Sequence, residues 1–193
     1  LLEPDNPSVR YFTLKDLLDY SENHPEVIEA KEEIRKHEKV NRIFRRQRPE
    51  GYWESADQPY LPKYKSTYWQ IMILSQLGLD RGDERVGRAC EYIFQFQHEE
   101  GGFTQRGEEG AKKEYQLFTE RLLRKGKTPP PLDAWVKNKI REDELTCLTG
   151  NVSTALIRLG YGDDARLGKA LGWLVEVQND DGGWLCPYWG AHI

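Results

Sequence analysis

Three times along this chain an apolar helical stripe ends in a glutamine, with a glycine four residues later and an aromatic residue six later. Gln47, Gly51 and Trp53 stand so in QRPEGYW, Gln97, Gly101 and Phe103 in QHEEGGF, and Gln178, Gly182 and Trp184 in QNDDGGW. The register extends upstream. Val40, Ile43 and Phe44 correspond to Cys90, Ile93 and Phe94, and to Leu171, Leu174 and Val175. The last two copies begin earlier, at Val86 and Ala89 and at Leu167 and Ala170. This is i, i+3, i+4, i+7 spacing, a helix with one buried stripe. A unit of this size cannot bury its apolar face alone, so a repeat implies stacking.

A second helical stretch precedes each of the last two copies. STYWQIMILSQLGL stops at Gly78 and TGNVSTALIRLGYG at Gly160, each suited to a helix C-cap. Asp83 and Asp164 then stand where the next helix needs an N-cap. The unit reads as helix, glycine stop, acidic cap, helix and Gln-x-x-x-Gly-x-aromatic, an α-hairpin. The glutamine can bond backbone groups left unpaired at a neighbouring helix end, and the ring packs back across the turn. Gln47, Trp53, Gln97, Phe103, Gln178 and Trp184 are therefore expected to be structural, fastening one hairpin to the next.

The remainder of the 193 residues fits one domain. Residues 1–39 read as an N-terminal helical extension. FTLKDLLDY has Thr13 as N-cap of a short helix, and the stretch from His24 reads as one long helix ending near Gln47. SADQPYLPKYKS is a loop. Residues 104–146 interrupt the repeats as an insertion of two helices split by TPPPLDAW. About eight helices are expected in all.

Net charge is −4 with no large single-sign block, which argues against a nucleic-acid partner. No apolar run reaches membrane-spanning length. LLEPDNPSVRYF lacks the charged and apolar regions of a secretory signal. Three cysteines do not suggest a disulfide framework, and a cytoplasmic location is the expectation.

The three Gln-to-aromatic segments resemble the QW repeats of the squalene–hopene cyclase and prenyltransferase superfamily. NPSVRYFTLKDLL, CLTGN and CPYW add a likeness to prokaryotic squalene-cyclase-like proteins. The resemblance covers roughly residues 40 to 103 and 147 to 189 and implies an all-α fold, an α/α toroid arc of repeated α-hairpins. Some eight helices fall short of the dozen or so that such a toroid uses, so the arc is expected to be incomplete and its open edge to favour a dimer. The resemblance implies an isoprenoid or other apolar ligand in the concave face. The chemistry does not carry over with it. Asp-x-Asp-Asp and Asp-Asp-x-x-Asp, the acidic motifs of the terpene cyclases, are absent from the chain.

Cys147, Cys186 and His192 are the candidate metal ligands, since thiolates and an imidazole suit zinc. Against this stands the ordinary use of free cysteine as a small hydrophobe, the expectation for Cys90. His24, His37 and His98 read as surface residues, and Asp180 and Asp181 as turn residues. Tyr68, Trp69 and Trp189 are the candidates for lining a cavity, where ring faces stabilise positive charge. Two functions follow. One is a cyclase- or prenyltransferase-like protein acting on or binding an apolar small molecule. The other is a non-catalytic α/α module binding a protein segment or a lipid.

Overall fold

The computed structural model of the protein describes residues 1–186 and 191–192. The side chains at 186, 191 and 192, and residues 187–190 and 193 altogether, lie outside that description. The fold is all-α. The described residues contain nine α-helices, two π-helical turns and a two-residue antiparallel ladder pairing Leu185–Cys186 (β1) with Ala191–His192 (β2). No described helix is long and apolar enough to cross a membrane.

Two hairpins form where the repeat predicts them. The first joins α4 (Thr67–Gln76) to α5 (Glu84–Phe94), and the second joins α8 (Thr146–Leu156) to α9 (Ala165–Glu176). α4 packs on α8, so these are the inner pair, with α5 and α9 outside them. Gly78 (φ 88°) and Gly160 (φ 93°) occupy the left-handed region at the two stops. Asp83 and Asp164 cap α5 and α9 by accepting from Arg85 N at 3.0 Å and Arg166 N at 2.8 Å.

The N-terminal segment departs from its reading. Thr13 is not an N-cap: α1 (Pro7–Phe12) already runs before it, and Thr13 opens a π turn that ends at Leu17. The long helix is broken at His37, whose ψ of 137° is extended. α2 (Pro25–Lys36) and α3 (Glu38–Phe44) result, capped by His24 and His37. Each imidazole accepts through Nδ1 from the backbone N–H two residues on, at 3.3 Å. These histidines do a job usually given to Asn, Asp, Ser or Thr. α1 and α2 form a further hairpin, and Asp19 (φ 55°) stands at its turn as the glycines do at the others.

The core is continuous through these hairpins. Leu14, Ile34, Val40, Trp53, Tyr68, Ile71, Val86, Ile93, Phe103, Leu156 and Leu167 are buried together in it. The insertion lies outside. α6 (Glu108–Arg124) and α7 (Leu132–Glu142) pack mainly on each other, Trp135 against Tyr115 and Phe118, and bury only Ala111 and Val136 of their own residues.

Candidate functional site

The three glutamine segments fold into the same turn. Gln47, Gln97 and Gln178 each donate from Nε2 to the carbonyl of the glycine four residues on, at 3.2, 2.9 and 2.6 Å. The backbone repeats as well. The residue after each glutamine donates its N–H to a carbonyl four residues on: Arg48 to Tyr52, His98 to Gly102 and Asn179 to Gly183. The indoles of Trp53 and Trp184 donate to the carbonyls of Ile43 and Leu174, ten residues back, at 2.9 and 2.8 Å. These are carbonyls of a helix end, which the ring covers and satisfies together.

What the turns grip differs. Gln47 also donates to Arg85 O at 2.9 Å, in the first turn of α5. Gln97 does the same to Arg166 O at 2.8 Å, in the first turn of α9. The glycine of each clasp lies against the same helix. A methyl group on Gly51 would meet Arg88 O at 2.5 Å, and one on Gly101 would meet Lys169 O at 2.3 Å. The arginine of each gripped turn lies over the preceding phenylalanine: Arg85 is 4.0 Å from the Phe44 centroid and Arg166 is 3.7 Å from the Phe94 centroid. Each is also tied back to its cap, Asp83 or Asp164.

Among the described residues the third turn grips nothing. Gln178 makes its bond to Gly182 and is exposed, and no atom lies within 4 Å of where a Gly182 side chain would be. The adjoining helix face is bare. Val40 and Phe44 on α3, and Cys90 and Phe94 on α5, are at most 8% exposed, whereas Leu171 and Val175 at the same register on α9 are 41% and 72% exposed. Val177 and Leu185 extend the apolar surface. In the other two turns this place holds a helix N-terminus.

A second group of side chains gathers at the root of the insertion. Donor atoms of His98, Glu100 and Glu144 lie within 4.8 Å of one another. A β-bridge between Thr104 and Glu144 closes the insertion and brings Glu144 back to the Gln97 turn. Glu144 Oε1 lies 2.5 Å from His98 Nδ1, and the Glu144 side chain is only 5% exposed. Burial pushes its carboxyl up to about 7; the Glu100 charge adds to this and Arg141 opposes it. Neighbouring Asp143, more deeply buried at 1% exposure, is instead held by Arg106 at 2.7 Å and Lys139 at 3.3 Å. His98, read from the sequence as a surface residue, is half-buried here.

Of the cavity and metal candidates, Tyr68, Trp69 and Cys147 have described side chains. Tyr68 is fully buried and its hydroxyl donates to Thr104 O at 3.0 Å. Burial raises its phenol well above the ordinary value. Trp69 is half-buried between Tyr60 and Tyr64 and donates to Tyr60 O at 2.9 Å. Trp189 lies outside the described residues. Cys147 is half-buried and packs on the core, while the side chains of Cys186 and His192 lie outside the description. Cys90 is in the core, and burial pushes its thiol up to about 12. Asp181 accepts from Gly183 N at 3.0 Å as a turn residue.

Open hollows lie elsewhere. One of about 560 Å³ opens between α1 and α3 and is bordered by Val9, Phe12, Leu17, Val40 and Leu77. The chain matches no protein-family model and no curated protein.

Proposed function

We propose that this protein is a non-catalytic α-hairpin module, one arc of stacked hairpins, that binds a helix at the edge formed by the Gln178 turn and the exposed face of α9. The observation that carries this reading is the third clasp: turn, glutamine bond and indole are all in place, and no described residue takes the position that α5 and α9 take in the other two. The bound element is an N-capped helix whose first-turn carbonyl accepts from Gln178 and whose backbone crosses Gly182. Val175 stands where Phe44 and Phe94 stand, and Gly172 where Asn41 and Glu91 stand. The partner therefore presents an apolar residue where Arg85 and Arg166 sit in the other clasps.

A photo-crosslinking residue at Val175, used in the organism that makes the protein, tests the reading. Support would be an adduct mapping to the first turns of a helix in a polypeptide and disappearing in the Gly182→Ala variant. An adduct to lipid alone, or one indifferent to Gly182→Ala, overturns it.

The apolar hollow beside α1 favours a second reading, in which a small apolar molecule of the class implied by the cyclase resemblance binds there. Saturable uptake of a long-chain isoprenoid alcohol that Leu17→Glu abolishes supports it. Absence of uptake removes it.

A further inference from the structure

We propose that His98, Glu100 and Glu144 form a divalent-cation site of the zinc class, a reading independent of the edge. The donor set is one imidazole nitrogen and two carboxylates, which zinc accepts readily. Two of the three are built into the fold. His98 follows the clasp glutamine, and its N–H donates to Gly102 O at 2.8 Å. Glu144 is pinned by the bridge to Thr104.

The Glu144 carboxylate is the second line of argument. Its side chain is 5% exposed, yet among the described residues the only group within ion-pair distance is the His98 imidazole. Oε1 and His98 Nδ1 are both cut off from solvent and neither makes a well-directed hydrogen bond; the same holds for Asp143 Oδ2 and Arg106 Nε beside them, but there the two charges are opposite and fixed. Burying a carboxylate without compensation is costly, and adjacent Asp143, with its arginine and lysine, illustrates the usual remedy. Glycine at 102 permits this close approach: a side chain there would meet Glu144 Oε2 and the Trp173 ring at 3.0 Å.

Ligands sharing one zinc ion at about 2.0–2.2 Å lie roughly 3–3.5 Å apart. His98 Nδ1 and Glu144 Oε1, now 2.5 Å apart, need to separate by somewhat under an ångström. Glu100 is exposed and, among the described residues, is held only by Arg141 at 3.6 Å, so it can swing in as the third ligand. Three protein ligands leave a coordination position for water. His98 also borders a hollow of about 370 Å³, shared with Val136 and Ile140 of the insertion. A bound ion would thus tie the insertion to the repeat.

The experiment is a titration of the full-length protein with zinc chloride against a chromophoric chelator, repeated with Glu144→Gln, His98→Gln and Cys147→Ser. The expected result is one ion per chain, bound at least about tenfold more weakly by the first two variants and unchanged by the third. No binding by the parent protein overturns the proposal, as does binding that survives in both site variants or falls only with Cys147→Ser. If a site variant does not fold, the parent decides by itself: one histidine ring shifts in its NMR spectrum on zinc addition. Assignment of that ring to His98 supports the site, and assignment to any other histidine overturns it.

Discussion

The Gln97 clasp and the Gln178 clasp are the same turn in two circumstances. Around Gln97 a helix has arrived: its carbonyl is gripped, its backbone runs against Gly101, and Phe94 lies beneath Arg166. Around Gln178 no described helix has docked, and the turn keeps the same internal bonds. The turn is therefore made by local sequence and does not need the docked helix to hold it. Docking uses groups that are already oriented, which lowers the ordering cost of association.

Substitutions at the two glycines should separate the circumstances most. Gly101→Ala combines left-handed strain with a backbone collision and should cost about 4 kcal/mol in urea denaturation. Gly182→Ala carries only the strain and should cost about 1–2 kcal/mol. Equal costs would mean that the third clasp is occupied in solution. The glutamines come next. Gln97→Ala breaks two bonds and leaves Arg166 O without its clamp, for about 2 kcal/mol, whereas exposed Gln178→Ala should stay under about 0.5 kcal/mol.

Trp184→Phe sharpens the comparison from another side, because Phe103 already does without an indole N–H. Loss of the bond to Leu174 O should cost about 1 kcal/mol by thermal melting. The smallest effect concerns pH. Burial alone would raise the Asp83 carboxyl, but hydrogen bonds from the Arg85 side chain and backbone N–H more than offset it and hold it below its ordinary 3.8. A carboxyl lowered on folding adds stability above that value and loses it as pH falls. Asp83→Asn keeps the cap but not the charge. Its deficit against the parent should thus be largest near neutrality and shrink below about pH 4.

Much of this was legible in the chain, and the reasons are particular. The Gln-to-aromatic offsets, the Asp83 and Asp164 caps and the stops at Gly78 and Gly160 are local features, so their spacing carries them. The break at His37 was not legible, because neither glycine nor proline marks it and an imidazole serves as the cap. The N-terminal hairpin was hidden for a like reason: Asp19 stands where glycine would have announced a left-handed stop. Tyr68 opens an inner helix, as an aromatic lining a cavity would. Only packing reveals that α8 and Phe103 fill the space in front of it. The His98–Glu144 pair joins residues on either side of the insertion, and no pattern within a single helix or turn points to it.

The insertion bears on how the protein assembles. The amide of Trp53 is held by the Thr67 hydroxyl across 14 residues, and that of Phe103 by the Thr149 hydroxyl across 46. Were the longer span structureless, chain statistics would make its closure about 1 kcal/mol harder. α6 and α7 offset this by pairing with each other, so that the ends of the span meet as the ends of a folded arm. The array can thus carry a large appendage between two neighbouring units and still bring them into the same register.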